Sequence, residues 1–222
     1  MFNKKLISTT AAATLLAGGM VSMPASADLS ANIGFASEYY FRGILQKETS
    51  ASGGLDYETG GFYIGTWTAD VGDGLEVDGY LGYNLELGDV TLGAGVAGYY
   101  YTGEFDDTYE EATISASWEF ASISYTFGTW DNDDGFDGEG GDEYDFIDVT
   151  LSHNGFYGTV GIFGQDADGE YLEIGYGTEI GGFDVGVAAI FSSDELSDQA
   201  DDDGDATESE AFVFTLSKSF DL

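Results

Sequence analysis

From Leu29 to the last residue, apolar and polar positions alternate with a period of two. In Leu29–Arg42 the odd positions are Leu29, Ala31, Ile33, Phe35, Ser37, Tyr39 and Phe41, and the even positions are mostly small or polar. Leu75–Leu87 repeats the pattern, with Leu75, Val77, Leu81, Leu85 and Leu87 opposed by Glu76, Asp78, Asn84 and Glu86. Val90–Tyr100, Ala112–Phe120 and Ala121–Gly128 follow, each with one apolar face. Shorter or weaker runs are Ala51–Glu58, Phe62–Val71, Tyr144–Ser152, Phe156–Gln165, Glu170–Glu179, Phe183–Phe191 and Glu210–Leu222. This periodicity belongs to strands with one apolar face. It predicts twelve strands and no helix between them, with ten strands if Ala51–Glu58 and Tyr144–Ser152 drop out.

The connections alternate as well. Tight turns are expected at Thr59-Gly60-Gly61, Gly88-Asp89, Phe120-Ala121, His153-Asn154-Gly155 and Ile180-Gly181-Gly182. Between them come longer, mostly acidic loops, including Gly72-Asp73-Gly74, Gly103–Thr108, Asp131–Asp145, Asp166–Gly169 and Ser192–Ser209. Short turns at one end and long loops at the other are the asymmetry of outer-membrane barrels. The fold class expected is therefore all-β, a closed antiparallel transmembrane β-barrel with short periplasmic turns and long acidic extracellular loops. Leu81, Leu92, Ile114, Ile123, Val149 and Val187 should face lipid. Glu76, Asp78, Thr113, Ser115, Ser124 and Thr150 should face the lumen. Aromatics crowd the strand ends and suggest two interfacial girdles. The outer one would hold Tyr39, Phe41, Tyr99 to Tyr101, Trp130, Tyr144, Phe146, Phe191, Phe212 and Phe214. The inner one would hold Phe62, Trp118, Phe120, Phe156, Phe183 and Phe220.

The first 27 residues have a different design. Lys4 and Lys5 precede the apolar run Leu6–Met20, and Ala25-Ser26-Ala27 is a small-x-small cleavage signal. This is the pattern of a secretory leader cleaved between Ala27 and Asp28, too short in its apolar part to span a bilayer. Residues 28–222 would then form one barrel domain in the outer membrane of a Gram-negative cell.

Composition narrows the function classes. The chain carries 42 acidic and 5 basic residues, a formal charge of −37. Two of those five are the leader lysines, which leaves Arg42, Lys47 and Lys218. Nucleic-acid binding, which needs clustered Lys and Arg, is excluded. The 43% hydrophobic content argues against disorder. The absence of Cys and the single His exclude disulfide scaffolds, thiolate sites and multi-histidine metal sites. Acidity of this degree also suits a protein working in concentrated salt.

Three segments, Ser37–Gln46, Gly61–Trp67 and Leu75–Tyr83, together resemble the TorF family of proteobacterial outer-membrane porins. Ser37-Glu38-Tyr39-Tyr40-Phe41-Arg42-Gly43-Ile44-Leu45-Gln46 resembles its N-terminal Tyr-x-Phe-Arg-Gly-x-x-Gln hallmark. Gly61–Trp67 and Leu75–Tyr83 resemble its second and third segments. The resemblance runs through the mature chain except for the two long acidic loops, and implies a porin-like barrel. The C-terminal face Phe212, Phe214, Leu216, Lys218, Phe220, Leu222 is similar to the signal read by the barrel-assembly machinery. Here Leu222 stands where many such chains end in Phe.

Candidate chemistry is sparse. His153 falls in an Asn-Gly turn and reads as a turn residue rather than half of a Ser–His pair. No enzyme and no cofactor are expected. Asp201, Asp203 and Glu210 match three positions of a calcium-loop spacing, with Gln199 in place of the first ligand, which makes a weak metal candidate. The charge placement is more informative. Asp131–Asp145 carries eight acids and Asp194–Glu210 nine. Asp131, Asp133, Asp134, Asp137, Asp201, Asp202 and Asp203 would form an acidic mouth that gathers cations. Arg42, on the lumen face of the first strand, would be either a constriction residue or half of an internal ion pair. Glu38, Tyr40, Glu76 and Asp78 would line the path near it. The function expected is passive diffusion of small hydrophilic solutes or ions, with a preference for cations. The alternative is a non-conducting outer-membrane protein that acts through its acidic loops. Outer-membrane lipid and small solutes or cations are the partners expected.

Overall fold

The computed structural model describes residues 28–131 and 142–222. The expected leader with its cleavage position at Ala27, and Asp133, Asp134 and Asp137 of the expected acidic mouth, lie outside the described residues.

Twelve strands close into one antiparallel barrel, as the periodicity predicts. They are β1 (Asp28–Ala36), β4 (Ser50–Thr59), β5 (Phe62–Gly72), β6 (Gly74–Leu87), β7 (Val90–Tyr101), β8 (Tyr109–Trp118), β9 (Ala121–Trp130), β10 (Asp142–His153), β11 (Phe156–Gln165), β12 (Glu170–Ile180), β13 (Phe183–Ser192) and β14 (Ser209–Asp221). Each pairs with its sequence neighbour, and β1 pairs with β14 from Ser30–Asp221 to Ala36–Thr215, which leaves no free edge. Closure gives every strand a partner on both sides, the condition for a sheet to stand in hydrocarbon.

The alternation maps onto two faces. Leu81, Leu92, Ile114, Ile123, Val149 and Val187 all point out of the barrel, Ile114 with 63% of its surface exposed. Glu76, Asp78 and Ser124 are buried inside. Thr113 and Thr150 share hydroxyl hydrogen bonds of 2.8 Å with the lumen-facing Thr126 and Thr159. Apolar side chains that are exposed on the outside and polar ones that are buried inside invert the soluble pattern, as a lipid-facing barrel requires.

The short ends are two-residue turns, and their chemistry follows from strand twist. At Gly60-Gly61 φ is 53° and 93°, and at Asn154-Gly155 it is 52° and 84°. Both central residues are left-handed, the turn that continues a twisted hairpin. The turn after β8 is Glu119-Phe120, one residue earlier than expected. At the other end the connections differ more from expectation. Asp73 alone separates β5 from β6, so Gly72-Asp73-Gly74 is a tight corner and not a long loop. The segment 193–208 holds one 3-10 turn, Asp194–Leu196.

The largest correction falls on the first segment. Leu29–Arg42 is not one strand. The wall strand ends at Ala36, and the chain then forms a separate hairpin, β2 (Tyr39–Phe41) and β3 (Ile44–Lys47), before β4 begins. Alternation persists through Tyr39 and Phe41 because the hairpin has two faces of its own.

Candidate functional site: a hairpin seated in the barrel lumen

The β2–β3 hairpin turns at Arg42-Gly43, with φ of 49° and 84°, the same left-handed pair as the hairpin turns of the wall. Arginine in that conformation costs roughly 1–2 kcal/mol. What it gains is on the far wall. Arg42 Nη1 donates to Glu111 Oε1 at 2.5 Å and Nη2 to Oε2 at 3.0 Å, a bidentate pair with β8. Tyr99 of β7 donates to Glu111 Oε2 at 2.9 Å and Tyr144 of β10 to Oε1 at 2.7 Å. The guanidinium carbon lies 4.7 Å from the Phe41 ring centre and 4.4 Å from that of Phe146. Arg42 is only 8% exposed. Burial acts to lower its pKa, and the Glu111 carboxylate, together with the Tyr99 and Tyr144 groups around it, raises it, so the net shift is upward.

The rest of the hairpin touches most of the circumference. Tyr39 donates to Glu76 of β6 at 2.7 Å and meets Trp67 of β5 edge-on at 5.7 Å. Phe41 packs edge-on to Tyr99. The Gly43 carbonyl accepts from Ser192 Oγ of β13 at 2.6 Å. A Cβ at Gly43 would sit 2.6 Å from Cβ of Tyr171 on β12, so only glycine allows this approach. At the neck, Ser37 N donates to the Phe214 carbonyl and Ser37 Oγ accepts from Phe214 N. The hairpin therefore crosses the lumen from the β1–β14 seam to β8. Arg42 belongs to this inner hairpin rather than to the wall of the first strand, and of its two expected roles the structure shows the internal ion pair.

The wall that receives the hairpin is built for it. Trp67, Asp78, Tyr99 and Tyr109 are register neighbours across β5 to β8, and all four point inward. Asp78 is 1% exposed, and its carboxylate accepts no hydrogen bond from a protein group. Glu76 accepts from Tyr101 as well as Tyr39. Phe146 stacks on Tyr171, and glycine at 161 leaves room for both rings. Tyr39, Phe41, Tyr99, Tyr101, Trp130, Tyr144 and Phe146, expected in the outer girdle, thus face the lumen or lie in it. Tyr100, Phe191, Phe212 and Phe214 remain on the lipid side, as do all six aromatics of the inner girdle.

The opposite wall is light. Facing inward are Gly186, Ala188 and Ile190 of β13, Val213, Thr215 and Ser217 of β14, Gly34 of β1, and Ser50 and Ser52 of β4. Between this wall and the hairpin lies a cavity of about 110 Å³, bordered by Glu38 and Tyr40 on the hairpin side and by Glu173 on β12. Burial first, and then the nearby Glu38 and Asp198, raise the Tyr40 phenol above its ordinary pKa.

The remaining candidates do not converge on this place. Lys47 pairs with Asp70 at the rim. Lys218 lies on the outer face over the Phe183 and Phe220 rings, 4.8 and 5.4 Å from their centres. The Asp201 carboxylate accepts the Asp203 and Asp205 backbone N–H groups within a tight turn, while Glu210 lies on the outward face of β14. Among the described residues no three acidic side chains gather as a metal cage. Glu111 is the residue that sequence reasoning missed. It sits 69 positions from Arg42, immediately before the alternating run Ala112–Phe120.

A family model described as a bacterial protein of unknown function, Gcw_chp, matches residues 22–220, almost the whole chain. The chain belongs to the Gcw_chp family. No curated protein matches this Gcw_chp chain in sequence. Among solved structures, the NanC porin is similar at a TM-score of 0.54 and 13% identity, over 87% of this chain and 100% of that one. OccK2 of Pseudomonas aeruginosa is similar at a TM-score of 0.44 and 16% identity, over 88% of this chain. The Gcw_chp chain covers 62% of that larger barrel. At 13% identity the likeness to NanC is one of fold.

Proposed function

We propose that this chain is an outer-membrane channel of the TorF porin type, exported with cleavage after Ala27, that passes small hydrophilic solutes and prefers cations. The observation that carries this is the charge balance inside the barrel. Besides Glu111, whose charge Arg42 offsets, Asp56, Glu76, Asp78, Asp148 and Glu173 point into the lumen. Against them, Arg42 is neutralised by Glu111 and Lys47 by Asp70, while Lys218 is outside. A water-filled path past such a wall enriches cations and depletes anions. Asp131 and the acids of 194–208 extend the same field to the outer rim.

The test is a reversal potential across a planar bilayer holding the refolded protein under a salt gradient. A cation-directed shift is expected, stronger at low salt because the Debye length falls from ~10 Å at 0.1 M to ~3 Å at 1 M. Anion selectivity would overturn the charge argument. The hairpin across the lumen favours a second reading, a closed barrel that works through its acidic surface, and a silent bilayer would support it.

A further inference from the structure

The cavity beside the hairpin has a lining that suits one chemical class of guest. Glu38 reaches it from the hairpin neck and Glu173 from β12. The rings of Tyr40, Trp67 and Tyr171 border it. Arg42 also borders it; both of its Nη groups are held by Glu111 and its faces are covered by Phe41 and Phe146, while its Nε–H has no protein partner. The light wall contributes small side chains and hydroxyls, among them a buried Thr215 Oγ1 with no protein partner.

We infer that this cavity is a subsite for a small organic cation, an ammonium group bearing a few carbon substituents, held on its way through the barrel. The inference rests on the channel reading above and names the solute class for it. Aromatic faces attract ammonium ions, most strongly where water is excluded. The two carboxylates supply the countercharge, and they repel anions. Size sets the upper limit. A cavity of ~150 Å³ holds a benzene molecule, so about 110 Å³ admits a compact ammonium ion and excludes bulky ones. The cavity also lies in the right place, because Asp198 of the acidic outer loop acts on Tyr40 at its border.

The test is calorimetric titration of the refolded full-length mature protein in detergent micelles with tetramethylammonium chloride, and with tert-butanol as a neutral molecule of similar shape. Saturable binding of tetramethylammonium is expected, with none for tert-butanol. Glu38→Gln and Glu173→Gln should each weaken binding about tenfold. Glu110→Gln, a carboxylate on the outer face, should leave it unchanged. Glu173 accepts from Tyr157, so Glu173→Gln is checked for barrel formation by circular dichroism; if it fails to fold, Glu38→Gln on the hairpin neck decides alone. Absence of binding by the wild type, equal binding of tert-butanol, or unchanged binding by Glu38→Gln would each overturn the assignment. Binding in a protein silent in bilayers would sink the channel reading and leave the subsite. Cation-selective current without calorimetric binding would do the reverse.

Discussion

The two halves of the barrel wall solve the same problem with opposite means. From β5 to β12 the inward positions carry Trp67, Tyr99, Tyr144, Phe146, Tyr171 and five buried carboxylates, Glu76, Asp78, Glu111, Asp148 and Glu173. From β13 through β14 and β1 to β4 they are mostly Gly, Ala, Ser and Thr. Both halves show the same lipid-facing pattern outside, so the membrane imposes no difference between them. The difference follows from the hairpin. It rests against the heavy half and leaves its free space along the light half, where small side chains keep the cavity open.

The largest effect expected from breaking this contrast is at Arg42. Arg42→Leu leaves Glu111 buried without its countercharge, a loss of about 3–5 kcal/mol for such a pair. Here it should fall on the seating of the hairpin. The expected outcome is a larger unitary conductance and faster proteolysis between Ser37 and Thr49. The double change Arg42→Leu with Glu111→Leu should cost less than the two single changes summed, which a double-mutant cycle would read.

Next in size is a contrast between inside and outside. Ile114→Arg, at mid-strand on the lipid face, should cost about 2–4 kcal/mol, whereas Ser115→Arg, one residue on and facing the lumen, should cost much less. Urea titrations of the barrel in lipid vesicles would measure both, and equal costs would contradict the two faces.

Smaller effects separate the two walls directly. Gly161→Ala on the heavy half would bring a Cβ within 2.6 Å of Phe146 Cζ and press on the ring that covers Arg42. A loss of about 1–3 kcal/mol is expected, as for overpacking elsewhere. Gly79→Ala on the outer face meets nothing within 4 Å and should change stability by less than about 0.5 kcal/mol. Ser217→Phe on the light half should also shift stability by less than about 1 kcal/mol. Its expected signature is a lower unitary conductance, because the ring fills the space beside the hairpin.

The strands and their two faces were legible in the chain, the contrast between the two halves was not, and the reason is physical. Period-two alternation marks faces, so Ile114 and Ser115 could be assigned to lipid and lumen from sequence alone. Gly60-Gly61 and Asn154-Gly155 announced their turns through the left-handed backbone they need. Alternation does not mark which sheet a strand belongs to. Tyr39 and Phe41 continue the rhythm of β1 although the chain has left the wall at Ala36. The same blindness placed Tyr99, Tyr144 and Phe146 in an outer girdle, since a strand-end aromatic reads alike on either face. The bond between Arg42 and Glu111 depends on closing the barrel and folding the hairpin through it, and no local pattern encodes that. Glu38, Tyr40, Arg42, Glu76 and Asp78 could therefore be named from the chain, but not the arrangement the barrel gives them.

The hairpin and its neck, from Ser37 to Thr49, carry Glu38, Arg42, Lys47 and Glu48, two charges of each sign. A voltage across the membrane does work on net charge moved along the field, at ~2.3 kcal/mol per elementary charge per 100 mV. On a balanced segment shifted as one body, the pulls cancel. The resting position of the hairpin is then insensitive to membrane potential, and what holds it is its contact chemistry with the wall. A current through this barrel should accordingly scale with applied voltage without voltage-driven closure.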